Sequence, residues 1–592
     1  MRRRGPDADG FSEKMLSDGT HVQLLHSRLA ILDLDSRSNQ PYSTESSTIA
    51  MNGEIYNFVE IRSELCSQGY VFHTTGDTEV AIRTLEVGGP EAISRFEAMF
   101  AFAWLDHQSE TVVLARDFFG EKPLFFLKAR GGIYFGSTPQ YVLLLSGQAP
   151  KINKALITRY LVNGYKDIFK HDNTFLNGIQ RIKPGFAEVR SVNGGWESIQ
   201  FKRPTQDSVD ETMTFEEAVK GTLDRVVHAI DIRLRADVPI ALCLSGGIDS
   251  NLILGVTSNV LEREVTPFSI VGSDPRYDES EAIAASAREF GTASKILHIS
   301  EIDALAVIEE MTLERGSPVA TANQFALWML MREISQDGFR VTLSGVGADE
   351  LFTGYYDHYL YYLHELGKEN VSLETIRRSE WEEAVVPLVR NPRFRVVSKD
   401  PWNSERLREL VFGESRDRIN YLTAGAKRNA LNWADANFSP NLLRNRMANE
   451  LWHETVPLLL CEEDQNAMFW SVENRSPYLD SRLLRWSQKV PMRHFIREGR
   501  AKALLRAAGK GIVPSHILNN PKKTGFNLST TDLLPKDRRI AIDYVADSGL
   551  LEIVTLKSVK SILSQPTFND SDNKFAFSLI SSAAFMRVHS RV

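Results

Sequence analysis

The chain has 592 residues, 43% hydrophobic and 24% charged, an ordinary globular composition that excludes a largely disordered or fibrous protein. With 69 basic against 76 acidic side chains the net charge is −7, so no nucleic-acid partner is expected, and a chain this long suits roughly two to four domains. Three cysteines, Cys66, Cys243 and Cys461, make neither a disulfide framework nor a paired zinc spacing and fit a reducing cytoplasm.

The opening Met-Arg-Arg-Arg is followed by Gly-Pro-Asp and not by an apolar stretch, so it is not read as a signal peptide. No run approaches the ~18 apolar residues of a membrane span, and no membrane partner is expected. Up to about residue 190 the pattern is of short strands joined by tight turns, with two helices between them. Strands are predicted at His21–Leu34, Thr48–Glu54, Met99–Leu105, Thr111–Arg116, Pro123–Leu127 and Gly132–Phe135. Such hairpins argue for antiparallel sheets packed as two layers. The chain turns polar around Arg190–Thr212, where the domain boundary is placed, giving 1–200 and 210–592.

Beyond it, Thr214 with Glu217 makes a capping box before Val219, Leu223, Val226, Val227, Ile230 and Leu234 at helical spacing. Strand-like runs at Val238–Leu244, Val265–Val271, Lys295–Ile299 and Arg340–Leu343 alternate with the apolar-faced Leu252–Leu261, the Ala-rich helix Glu279–Phe290 and further helix. Strand, turn and helix in repetition predict a parallel sheet covered on both faces. From about Tyr355 onward the pattern is mostly helical.

Leu244-Ser245-Gly246-Gly247-Ile248-Asp249-Ser250 lies between a buried strand and a helix start. It places hydroxyls and bare glycine amides at the positive end of a helix, where an anion is stabilised. Asp249 supplies a carboxylate where a phosphate-bound Mg²⁺ needs one. The bland alternative is a tight turn with glycines for steric reasons. A Walker loop is excluded, because the lysine after the second glycine is absent.

Ser-Gly-Gly-Ile-Asp-Ser resembles the pyrophosphate loop of the N-type ATP pyrophosphatases, which transfer AMP to a carboxylate or carbonyl oxygen. Three further stretches resemble signatures of asparagine synthetases: Ser344-Gly345-Val346-Gly347-Ala348-Asp349-Glu350-Leu351-Phe352 with Gly354-Tyr355, Glu473–Asp480, and Lys523-Thr524-Gly525-Phe526. The first half resembles the family's class II glutaminase through Arg4-Gly5-Pro6-Asp7, Arg28–Asp33, Asn52–Asn57, Asp77-Thr78-Glu79 and Arg116-Asp117.

The resemblance implies an antiparallel two-layer glutaminase domain, then an ATP pyrophosphatase domain with a helical C-terminal region. It implies that Leu244, Ser245, Gly246, Gly247, Asp249, Ser250, Ser344 and Gly345 hold ATP or pyrophosphate, although Leu244 alone would read as a core residue. Asp249 and Asp349 would hold Mg²⁺ and act with Lys523 in catalysis; Lys523 without the match reads as a solvated lysine beside Lys522. Arg28, Asn52, Gly53, Glu54 and Asp77 would bind glutamine: Arg28 its carboxylate, Asn52 and Gly53 the oxyanion, Glu54 and Asp77 its ammonium. Asn-Gly is equally a hairpin signal.

Two departures from the family stand out. Its glutaminase begins with a nucleophilic cysteine on a strand upstream of Arg-Gly-Pro-Asp, whereas this sequence starts at Met1, three residues before Arg4. The domain is therefore expected to lack its first strand and glutamine hydrolysis, with a start codon assigned too late as the explanation; Cys66 reads as a packing residue and no substitute. The second departure is Val346, where asparagine synthetases usually carry a glutamate thought to act on the attacking ammonia; valine accepts no proton. His358 could serve as a base, but a histidine among tyrosines is more often a structural hydrogen-bonder.

The expectation is a cytoplasmic, ATP- and Mg²⁺-dependent amidotransferase making an acyl-adenylate, with aspartate as leading acceptor and glutamine or free ammonia as donor. Two rivals are kept: amidation of another carboxylate such as a sugar uronate, and a catalytically impaired nucleotide-binding paralogue. A homodimer is left open.

Overall fold

The structure, a computed structural model, describes residues 1–129, 131–191, 194–202, 208–272, 278–298, 303–389, 417–428, 430, 434–521 and 528–590. Its first part holds β1 (Ala8–Met15), β2 (His21–Arg28), β3 (Tyr42–Ser43), β4 (Ser47–Ile55), β5 (Ala98–Asp106), β6 (Val112–Arg116), β7 (Phe125–Ala129), β8 (Gly132–Gly136), β9 (Ile179–Arg181), β10 (Phe186–Arg190) and β11 (Trp196–Gln200). Six of these form one sheet in the order β11-β10-β6-β5-β4-β3, in which every pairing is antiparallel. The sheets β1-β2 and β8-β7-β9 make the second layer.

Strand β5 explains the layering. Its side chains alternate between faces. Phe100, Phe102 and Trp104 enter a core with Ile49, Met51 and the helices Phe58–Ser67 and Asp77–Gly88. Ala101 and Ala103 enter another, with Leu24, Leu114, Leu124, Phe126 and Ile182, between the two layers.

The strand predicted to run from His21 to Leu34 ends at Arg28. The Arg28 guanidinium takes the carbonyls of Leu32, Asp33 and Asp35, which a continuing strand would have paired across a sheet. Strand β1 escaped the sequence reading because its half-buried and exposed residues alternate without a hydrophobic face: Phe11 and Met15 are exposed. Strand β11 falls inside the polar stretch read as a boundary, since at a sheet edge its mostly exposed residues need not be apolar.

The second part opens with the helix Phe215–Arg233, whose N-terminus carries the expected capping box of Thr214 and Glu217. Its sheet comprises β12 (Ile240–Cys243), β13 (Thr266–Val271), β14 (Lys295–His298), β15 (Val341–Leu343) and β16 (Glu473–Arg475). All are parallel, in the order β14-β13-β12-β15-β16. Ala241 packs into one core and Ile240 and Leu242 into another, so the sheet is buried on both faces. The first crossovers lead outward from β12 to β13 and β14; the chain then returns to β15 on the other side. The strand order reverses between β12 and β15, and outside the carboxyl ends of such a pair an open α/β sheet binds its ligands. The rest is largely helical, and no helix among the described residues is long and apolar enough to cross a membrane.

Candidate active sites

The loop after β12 and the loop after β15 meet at that reversal point. Leu244 extends β12, its N–H bonded to Phe268 O at 2.8 Å, and its side chain is core. The loop that follows is laced by the helix it starts. Ser250 Oγ accepts the Ser245 N–H at 3.1 Å and lies 3.0 Å from Ser245 Oγ, while Asn251 Nδ2 donates to Ser245 O at 2.9 Å and Gly247 O at 2.7 Å. Asn251 was not singled out from sequence; its place one residue past the motif was the available signal. Gly247 caps the helix Ile248–Gly255, and Gly246 N–H donates to Glu279 Oε2 at 3.1 Å, so an amide of this loop grips an anionic oxygen.

The second loop fits against the first. A Cβ on Gly345 would stand 3.0 Å from Asp249 Cβ, and Gly347, at φ 97°, would drive one to 2.6 Å from Leu479. Ser344 N–H bonds Arg475 O of β16 at 2.9 Å, and Tyr478 Oη donates to Asp249 O at 3.0 Å. Asp249 and Asp349 then converge on one cation: Lys502 Nζ lies 2.6 Å from Asp249 Oδ2 and 2.6 Å from Asp349 Oδ1. Lys502 is buried and held at φ 55°, a left-handed conformation that costs a non-glycine residue strain and recurs at functional sites. Burial works against its charge, but the two carboxylates outweigh burial and raise its pKa. Gly354 makes room for the pair, since a Cβ there would sit 1.4 Å from Asp349 Oδ1. Lys502 and Gly354 are site residues the sequence did not mark. Lys523 lies outside the described residues.

Two convergent carboxylates drawing a cation beside a loop of hydroxyls and glycine amides form a donor set suited to a phosphate-bound Mg²⁺. Around them other polar groups are buried or half-buried. Glu350 accepts Tyr355 Oη at 2.6 Å, and burial pushes its carboxyl up to about 7. Glu463 Oε2 accepts Ser344 Oγ at 3.0 Å and Asn474 Nδ2 at 2.6 Å. His358 is fully buried, its Nε2 2.6 Å from Glu450 Oε2, whose Oε1 meets Lys166 and Arg446; this histidine is part of a structural charge cluster.

In the first part a pocket gathers all five expected glutamine residues, Arg28, Asn52, Gly53, Glu54 and Asp77. Asn52 Nδ2 is buried and has no hydrogen-bond partner among the described residues, a donor waiting for an acceptor. Gly53, at φ 135°, is the only residue type that fits, because a Cβ would lie 2.0 Å from Met99 O. Asp77 Oδ2 accepts the Ile55 N–H at 2.8 Å; burial still pushes its carboxyl up to about 6. Burial, and then the neighbouring Asp77, hold the Glu54 carboxyl well above the usual range. Arg28 reaches the pocket with both terminal nitrogens engaged by Leu32, Asp33, Asp35 and Asn39. No cysteine lines the pocket: Cys66 is exposed on its helix, Cys243 lies in β12 and Cys461 is buried.

The pocket is also lined by Glu473 and Met468 of the second part. Arg475 Nη2 lies 3.4 Å from Glu54 Oε1 while its Nε donates to Glu473 at 3.0 Å. Lys122, fully buried, pairs with Asp464 at 3.4 Å and Glu473 at 3.5 Å, and Arg4 donates to Asp464 at 2.8 Å. A seam of buried ion pairs thus joins the two parts.

With this geometry in place, comparison with known proteins is specific. A family model described as asparagine synthase matches residues 221–581, and a glutamine amidotransferase domain model matches residues 1–200. The chain is similar to asparagine synthetase [glutamine-hydrolyzing] 1 of Bacillus subtilis, 28% identical over 550 residues, spanning 88% of this chain and 82% of that protein. It is similar to a putative asparagine synthetase of Mycobacterium tuberculosis, 27% identical over 612 residues, 97% of this chain and 90% of the other. Amidase chry2 of Gibberella zeae is 26% identical over 572 residues, 88% of this chain and 83% of that protein.

Proposed function

The chain belongs to the asparagine synthase family of carbon–nitrogen ligases, and from that premise we propose that it amidates a small carboxylic acid, with aspartate the leading acceptor, through an acyl-adenylate made from ATP. Residues 1–200 are the glutaminase domain of this reading and 210–592 the synthetase domain. The observation that carries it is the convergence of Asp249 and Asp349 at 2.6 Å on Lys502 where the strand order reverses, beside the Ser245–Ser250 loop.

A carboxylate resists attack by ammonia because it has no leaving group, and adenylation provides one. An acceptor oxygen attacks the α-phosphorus, the bond from that phosphorus to the β-phosphate oxygen breaks, and pyrophosphate leaves with the electron pair. The amides of Gly246 and Gly247 and the hydroxyls of Ser245 and Ser250 receive that charge, the role of preorganised donors in such a step. Asp249 and Asp349 would hold Mg²⁺, which neutralises phosphate charge when bound. Lys502, and Lys523 by its motif, balance the α-phosphate. Ammonia then displaces AMP. In the other domain the Asn52 amide would meet the oxyanion, and Glu54 with Asp77 the ammonium, of a bound glutamine.

Val346 favours one second reading, in which the acceptor is another carboxylate; a relative bearing the name amidase supports keeping it open. Pyrophosphate release is to be measured with ATP, ammonium and a panel of carboxylates. Release with aspartate above the acceptor-free rate is expected. Release with a uronate and none with aspartate would replace the acceptor, and no release with any acid would end the reading.

A further inference from the structure

The reacting ammonia needs a proton acceptor, and Val346 cannot be one. The helix Thr455–Phe469 brings a carboxylate to the same loop. Glu463 is fixed there by two neutral donors, Ser344 Oγ at 3.0 Å, just past β15, and Asn474 Nδ2 at 2.6 Å, within the neighbouring β16. Both bonds fall on Oε2; Oε1 takes no hydrogen bond from any described residue, and the side chain keeps part of its surface accessible.

The other carboxylates at this cleft have different partners. Asp249 and Asp349 meet Lys502, Glu350 meets the Tyr355 hydroxyl, and Glu279 meets the Gly246 amide. Glu463 makes no ion pair among the described residues. From this juxtaposition we infer that Glu463, anchored by Asn474 and by Ser344 two residues before Val346, is the group that takes the proton from the attacking nitrogen.

The inference rests on the acyl-adenylate reading. The ammonia lone pair attacks the carbonyl carbon of the mixed anhydride. The bond from that carbon to the phosphate oxygen breaks, and its electron pair leaves with AMP. One N–H proton passes to the Glu463 carboxylate, leaving a neutral amide. The environment suits the task, since burial, partly offset by the two hydrogen bonds, pushes the carboxyl up to about 7, near the ambient pH at which a general base works best.

The test compares two rates in the full chain: acceptor-dependent exchange of labelled pyrophosphate into ATP, which reports adenylation, and amide formation from ammonium. In Glu463→Gln the ratio of amide to exchange is expected to fall by about 10²-fold, the scale of a lost general base. Hydroxylamine, whose nitrogen is less basic and gives its proton to water, should recover most of that ratio, and adding V346E to E463Q should recover part of it. A ratio unchanged in E463Q, or equal loss of both rates, overturns the inference. If E463Q does not fold, E463D is expected to lower the ratio with ammonium and not with hydroxylamine; the same fall with both overturns it. Absence of exchange in the unaltered protein with every acid tried would instead overturn the acyl-adenylate reading beneath it.

Discussion

Lys502 is the residue on which the synthetase site turns. Without its ammonium the carboxylates of Asp249 and Asp349 repel one another at the point where pyrophosphate leaves. Lys502→Ala is therefore expected to lower pyrophosphate release about 10²-fold, the cost of removing one group that stabilises developing charge, as measured by continuous pyrophosphate assay. In the other domain, Asp77 must be ionised to hold an ammonium, and its carboxyl is pushed up to about 6. Glutamine affinity is thus expected to fall as pH drops through about 6, by no more than tenfold per pH unit, readable by calorimetry of E·glutamine binding. Asp249, Asp349 and the five residues proposed to bind glutamine could be singled out in the sequence because each sits in a contiguous motif. Lys502 and Glu463 stand in stretches with no local signature, Arg-Ala-Lys-Ala and Cys-Glu-Glu-Asp, and only the fold carries them to the cleft.

At the scale of elements, the helix Thr455–Phe469 is the clearest case of what a sequence conceals. Glu462, Glu463 and Asp464 are consecutive acids, a pattern usually read as a solvated face. A helix turns about 100° per residue, so each acid leaves in its own direction. Glu462 meets Arg315 at 2.8 Å, Glu463 meets Ser344, and Asp464 meets Arg4 and Lys122. Four of the five parallel strands were legible in advance, the central ones because runs buried on both faces read as unbroken apolar segments; β16, Glu-Asn-Arg inside a stretch read as mostly helical, was not. Strand β11 was not, because an edge strand has few apolar positions. The pyrophosphate loop depends likewise on an element behind it. Asn251→Ala removes the two bonds that hold the Ser245 and Gly247 carbonyls. Their loss leaves, among the described residues, only the longer bonds from the Ser250 hydroxyl and the residue 251 amide, and is expected to slow pyrophosphate release about tenfold, equivalent to ~1.4 kcal/mol, with the melting temperature lowered modestly.

Across the whole molecule, the two parts are joined by charges that water does not reach. Asp464 is the common partner of Arg4 and Lys122, and Lys122 is buried to 1% exposure. Asp464→Ala leaves Lys122 with Glu473 at 3.5 Å as its remaining carboxylate. Breaking one side of a buried pair costs about 3 kcal/mol or more, so a melting temperature lowered by several degrees is expected in calorimetry, with aspartate-dependent pyrophosphate release lowered in parallel as the domains loosen. An unchanged melting temperature would mean the seam contributes nothing to stability. The order of the two domains was plain from the sequence, since hairpin patterns gave way to alternating strand and helix. The seam was not, because its members are scattered from Arg4 to Arg475 and no single stretch displays it.

The account stands on the acceptor's oxygen becoming bonded to the α-phosphorus, and isotope transfer reads that bond. An acceptor carboxylate labelled with oxygen-18 is to be turned over with ATP and ammonium, and the AMP and pyrophosphate analysed by mass spectrometry. The account predicts one labelled oxygen in AMP and none in pyrophosphate; amide formed with AMP free of label would contradict it.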